Sequence, residues 1–212
     1  DSKEVLARFE SERHALALMN HPNIARAFEA GSTDDGRPFF AMEFVKGVPL
    51  TEYCDRQRLD TDRRLDLFTQ VCSGFQHAHQ KGIIHRDLKP SNVLVSVHEG
   101  RAVPKVIDFG IATVRRHQTK KRDNKLRGKI PYMATEQLMM GHQPDQRSDL
   151  FSLSLVLYEA LTGERLFNTQ DELMAAGKNP KQLKKVIRSK KVPGALMKIL
   201  LKGLDTDVNK RY

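Results

Sequence analysis

The chain has 212 residues, 39% of them hydrophobic and 29% charged, with a formal net charge of +10 at pH 7. That length is enough to bury one substantial core, and the composition excludes an intrinsically disordered chain. The two cysteines, Cys54 and Cys72, form no CxxC pair, which argues against a disulfide framework or a zinc centre and fits the reducing cytoplasm.

In chain order, Val5, Phe9, Leu16 and Met19 recur on one side and predict a helix over Val5–Met19. Asn20-His21-Pro22-Asn23 stops it, since Pro22 disfavours helical geometry in the residue before it. Two short strands, Ile24–Ala30 and Pro38–Phe44, follow as a hairpin around the polar turn 31–36, and Phe44–Gly47 reads as a connector. Thr61 is the expected N-cap of a helix in which Leu65, Phe68, Cys72 and Phe75 keep helical spacing up to Lys81-Gly82. Strands over Val93–Val97 and Lys105–Ile107 come next. A helix over Ser148–Leu161 then ends at Thr162-Gly163, where glycine can take a left-handed cap. Its apolar run is broken by Ser152, Ser154 and Glu159, and is too short and polar to cross a bilayer. Short strands first and helices after give an α+β class rather than a doubly wound sheet.

The positive charge is segregated. Residues 111–129 hold eight Lys/Arg against one Asp, and residues 178–202 hold nine Lys/Arg and no acid. Such blocks attract acidic protein, nucleic acid or anionic membrane; solvated surface is the simpler reading.

The most informative run is His85-Arg86-Asp87-Leu88-Lys89-Pro90-Ser91-Asn92, with Asp108-Phe109-Gly110 placed downstream at a loop-like distance. Either run alone is a modest signal, and the two in this order are highly specific. On these residues the chain resembles the eukaryotic-type Ser/Thr protein kinases, in particular their bacterial branch. The resemblance runs nearly end to end. It implies a protein-kinase-like fold: a mostly helical large lobe at 48–212, preceded at 1–47 by a remnant of the small lobe (its helix and hairpin) and the hinge.

The resemblance also implies roles. Phosphoryl transfer passes through a loose transition state, so the protein mainly positions groups and neutralises charge. Asp87 would accept the substrate hydroxyl proton, and Lys89 would hold the transferring phosphate. Asn92 and Asp108 would give oxygen ligands to Mg²⁺, and Leu94 would lie beneath the adenine of ATP. Met42, Glu43 and Val45 match the gatekeeper and hinge, where the Glu43 carbonyl and Val45 amide would meet the adenine edge. Glu12 falls where the family's small-lobe helix carries the glutamate that pairs with an ATP-binding lysine. His85 is expected to pack beneath Phe109 rather than to act as a base. His77 and His79 read as ordinary helix residues, and nothing at ligand spacing joins them and Cys72 into a metal site. Asp149 matches the aspartate that holds the catalytic-loop backbone, and Glu136 matches the partner of Arg211.

The chain departs from the family pattern in places. It contains no GxGxxG loop and no strand lysine, and Lys3 is too close to Glu12 to serve. Lys129 stands for a threonine, Ile130 and Thr135 for prolines, and Ser154 for a glycine. The resulting expectation is ATP-dependent phosphorylation of Ser/Thr hydroxyls on protein substrates, with this chain alone inactive. The alternative is a non-catalytic kinase-fold module that binds acidic partners through its basic loop and tail. A nucleic-acid role rests on charge alone, without a supporting motif.

Overall fold

In the computed structural model of the chain, the structure describes residues 19–33, 38–109, 130–138, 143–190 and 192–212. The helix expected over Val5–Met19 lies outside them except for Met19, which is buried.

Strands β1 (Ala27–Ser32) and β2 (Pro38–Met42) form the expected antiparallel hairpin. β1 starts at Ala27 rather than Ile24, because the segment before it binds elsewhere, and runs on to Ser32; β2 ends at Met42 rather than Phe44. The Ala25 N–H donates to the Val106 carbonyl at 2.8 Å, and the Val106 N–H donates to the Asn23 carbonyl at 2.9 Å.

A second sheet has the order β3 (Val48–Pro49), β4 (Val93–His98), β5 (Arg101–Val106), antiparallel throughout. Gly47 makes the entry to β3 possible: a Cβ there would meet the Val95 carbonyl oxygen at 2.6 Å. The strand expected to reach Ile107 stops at Val106, because the Ile107 N–H turns to the Asn92 carbonyl at 2.9 Å.

Seven helices occur among the described residues: α1 (Leu50–Arg56), α2 (Thr61–Gln80), α3 (Thr135–Leu138), α4 (Gln146–Thr162), α5 (Gln170–Lys178), α6 (Pro180–Ser189) and α7 (Gly194–Gly203). The cap of α2 corrects the sequence reading. Thr61 is the first helical residue, and the Asp60 carboxylate accepts the Arg63 N–H at 2.9 Å. A carboxylate there also faces the positive end of the helix dipole. The C-cap of α4 is Gly163, at φ 72°, as expected.

The core lies where α2 and α4 meet the second sheet. Val71, Phe75 and Ala78 of α2, Phe151, Leu155, Val156 and Tyr158 of α4, and Val93, Val95 and Val106 of the sheet are all buried. Helix α4 is buried nearly all round, so it forms the centre of the molecule rather than one of its faces. Its interior hydroxyls are bonded: Ser152 donates to the Tyr132 carbonyl at 2.7 Å, and Ser154 to the Leu150 carbonyl at 2.8 Å. No helix among the described residues is long and apolar enough to cross a membrane.

Candidate active site

The site is built around Asp149, in the first turn of α4 and 1% exposed. Its carboxylate accepts the His85 N–H at 2.8 Å and the Arg86 N–H at 2.9 Å. His79 Nε2 meets the same carboxylate at 2.8 Å. His79 is therefore not an ordinary helix residue: it extends from α2 to brace the aspartate. Arg86 adopts φ 66°, a left-handed conformation that costs roughly 1–3 kcal/mol in a non-glycine residue. Bonds on both sides hold it there: Asp149 takes its N–H, and the Gln137 side chain donates to its carbonyl at 3.0 Å.

His85 is fully buried. Its ring lies 4.7 Å from that of Phe109 and 5.7 Å from that of Phe75, as the packing expectation requires. Nδ1 takes the Asp87 N–H at 3.3 Å, and Nε2 faces the Ile107 carbonyl at 3.1 Å. One neutral tautomer, protonated on Nε2, makes both bonds. Burial lowers the pKa of the ring, against the opposing pull of Asp149 and the Ile107 carbonyl. With both nitrogens engaged by backbone, His85 is a strut between two loops and not a base.

Asp87 and Lys89 are half-buried, and a 3₁₀ turn over Pro90–Asn92 follows them. Asn92, 4% exposed, ties the loops together. Its side-chain amide donates to the Asp87 carbonyl at 2.9 Å, its N–H bonds the Lys89 carbonyl at 2.9 Å, and its carbonyl accepts the Ile107 N–H at 2.9 Å. Since Nδ2 faces Asp87, Oδ1 is turned away from that carbonyl. Asp108, next after Ile107, is at φ 63°, a second strained backbone in the same site.

An amide oxygen and a carboxylate are hard donors of the kind Mg²⁺ takes. No group of three His, Cys, Asp or Glu side chains that could hold a metal ion occurs among the described residues. Two such donors by themselves leave most of a Mg²⁺ shell to be supplied by other oxygens.

Leu94, half-buried on β4, stands opposite Lys105 on β5 and beside Pro49 on β3. Lys105 Nζ lies 2.6 and 2.8 Å from the two carboxylate oxygens of Glu43. Glu43 also exchanges bonds with Arg26, accepting its N–H on Oε2 at 3.2 Å and donating its own N–H to the Arg26 carbonyl at 2.8 Å. Burial raises the Glu43 carboxyl pKa, but these bonds outweigh it and hold the group below its ordinary value. Met42 ends β2, and Val45 lies half-buried in the connector beside Phe44, which is 88% exposed. Glu12 and Lys129 lie outside the described residues.

Away from the 85–92 loop, Arg211 and Glu136 form a buried bidentate pair at 2.8 and 2.9 Å, and Ser148 donates to Glu136 at 2.7 Å. Thr135, at the position of a family proline, is 3% exposed and bonds the Glu136 carboxylate at 3.4 Å. Sequence reasoning missed His79, Lys105, Gln137 and Ser148 as supports of the site. Ser148 had one signal, its place beside Asp149 in Arg147-Ser148-Asp149; the other three had none.

The protein kinase domain family matches residues 1–212. The probable serine/threonine-protein kinase PknB of Lactococcus lactis is 33% identical over 210 residues, covering 98% of this chain and 33% of the relative. The serine/threonine-protein kinase PrkC of Bacillus subtilis is 34% identical over 218 residues, covering 100% of this chain and 32% of the relative. The chain thus spans about a third of the length of these relatives. Among solved structures, the PknI kinase domain of Mycobacterium tuberculosis superposes with a TM-score of 0.66 at 23% identity, covering 99% of this chain and 74% of that one. A structure of Rad53 in complex with AMP-PNP superposes with a TM-score of 0.74 at 25% identity, covering 96% of this chain and 51% of that one.

Proposed function

Because the chain belongs to the protein kinase family, we propose that it is the part of a Ser/Thr protein kinase that orients the substrate hydroxyl and holds the metal-bound nucleotide. One observation carries the reading. Asn92 joins the Asp87 carbonyl and the Ile107 N–H, each at 2.9 Å, so both motif loops share one bonding network.

In this reading Asp87 accepts the proton of a Ser or Thr hydroxyl on a protein substrate and aims its oxygen at the transferring phosphate. Lys89 steadies that phosphate as a point charge. Asn92 Oδ1 and the Asp108 carboxylate hold Mg²⁺, which, when bound with ATP, neutralises charge on the phosphates. Leu94 supports the adenine from β4, while Met42, the Glu43 carbonyl and the Val45 amide line its edge. Glu12 belongs to the small-lobe segment 1–47, and the segment 48–212 is the large lobe. The two free cysteines support a reducing, cytoplasmic setting.

The test is transfer of labelled γ-phosphate from ATP to a protein substrate by the intact protein. Label is expected on Ser or Thr, and Asp87→Asn is expected to lower kcat by at least about 10²-fold. Undiminished transfer by the variant, or label on Tyr alone, rejects the assignment.

The tail supports a second role, the binding of acidic partners. Lys181, Lys184, Lys185 and Arg188 are all exposed and form no ion pair among the described residues.

A further inference from the structure

Helix α6 divides its surface sharply. Lys181, Lys184, Lys185 and Arg188 follow i, i+3, i+4, i+7 spacing and make one exposed cationic stripe, while Leu183 and Ile187 are buried on the opposite side. Between the two faces, Gln182 and Val186 form one wall of a cavity of about 260 Å³. Leu166, Phe167, Ala175 and Ala176 close it from the α4–α5 connection and from α5. Its only carboxylate, Glu172, is engaged, accepting the Asn168 N–H at 2.7 Å.

The size restricts the occupant. Pockets for drug-sized ligands and cofactors run from roughly 300 to 1,000 Å³, so this one suits a single aliphatic or aromatic side chain. A shallow depression lined by Lys181, Lys185 and Ser189 continues from it, sharing Gln182 and Val186 as the common ridge. An apolar hole beside a run of cations complements a peptide in which one apolar residue is flanked by carboxylates.

We propose that the α5–α6 groove docks such a segment of another protein, with the anchor beside Val186 and the carboxylates over Lys181 and Lys185. This deepens the acidic-partner role and is independent of phosphoryl transfer. A phosphate backbone matches the cations but offers nothing to the cavity, so the observations favour protein over nucleic acid.

The test is fluorescence anisotropy on the 212-residue chain at low salt, without ATP. The probe is a fluorescein-labelled twelve-residue peptide of Asp and Glu around one central Phe. Saturable binding is expected. It should weaken at least tenfold in Lys181→Glu/Lys185→Glu, in Val186→Glu, and when the central Phe of the peptide becomes Ser. The substituted side chains are exposed, so an unchanged circular dichroism spectrum serves as the folding control, and the peptide exchange needs no protein variant at all. Absence of saturable binding overturns the proposal. So does equal affinity for the peptide without Phe, or for a single-stranded DNA oligonucleotide of the same charge. Because no turnover is read, the result stands whether or not the intact protein transfers phosphate.

Discussion

Arg211 and Glu136, 75 residues apart in sequence, meet as two parallel bonds of 2.8 and 2.9 Å, with side chains 0% and 8% exposed. The Arg211 guanidinium also lies 4.7 Å from the Phe151 ring centre. The pair therefore fastens the end of the described chain to α3 and α4. Removing one partner leaves the other charge buried and uncompensated. Arg211→Ala is expected to cost about 3–5 kcal/mol, read from urea unfolding midpoints at constant slope.

The same pair sets an acid limit on stability. Burial pushes the Glu136 carboxyl up, but the bonds from Arg211 and Ser148 outweigh it and leave its folded pKa below 4.5. A carboxyl depressed on folding contributes stability that is fully present above its unfolded value and lost as pH falls through the folded one. The contribution is thus intact at neutral pH and declines below about pH 4.5. Glu136→Gln is expected to be less stable at pH 7 and to lose less on acidification, measured as thermal midpoints across that range.

Asp149 makes a different kind of support, since its partners include the backbone N–H groups of His85 and Arg86 in the loop that carries Asp87. Asp149→Asn keeps the size but turns an amide N–H toward a donor. Leaving a buried donor unpaired costs roughly 1–3 kcal/mol. Faster hydrogen exchange at the His85 and Arg86 amides, beyond any global change, is the expected signature. Unchanged exchange there would show that the loop holds itself.

Ser154 and Gly203 act as a matched pair across α4 and α7. A Cβ added at Gly203 would stand 2.0 Å from Ser154 Oγ and 3.1 Å from its Cβ. A side chain where the family pattern has glycine is thus accommodated by a glycine on the neighbouring helix. Gly203→Ala is expected to destabilise by about 1–3 kcal/mol through overpacking. Ser154→Ala/Gly203→Ala removes the Oγ contact but keeps the one at 3.1 Å, so it is expected to recover part of that loss, and a double-mutant cycle reads the coupling directly.

The Lys105–Glu43 contact ties the segment after β2 to β5, the strand opposite Leu94. Its side chains are 19% and 30% exposed, so solvent screens part of the attraction. A pair of this exposure contributes up to about 1 kcal/mol. Lys105→Met is therefore expected to weaken nucleotide binding about two- to fivefold with little change in melting temperature, as measured by calorimetry on the intact protein.

Motifs confined to short runs were legible directly. Asp87, Lys89, Asn92 and Asp108 were picked out because His85–Asn92 followed by Asp108-Phe109-Gly110 resembles the paired motifs of protein kinases. Helix α2 was legible because its apolar residues repeat at helical spacing, α4 because an apolar run ends at Thr162-Gly163, and the hairpin because a polar turn separates two apolar runs. Helix α1 escaped notice: only Leu50 and Cys54 of its seven residues are buried, which leaves too little period to detect.

The resemblance disclosed some distant contacts, such as Glu136 with Arg211, but other contacts between distant positions had no signal in the sequence. His79 reaches Asp149 across 70 residues, Lys105 reaches Glu43 across 62, and Gln137 reaches Arg86 across 51. Local pattern determines which face of an element is buried. Which polar groups then meet depends on how the elements cross, and that is decided only when α2, α4 and the second sheet pack together.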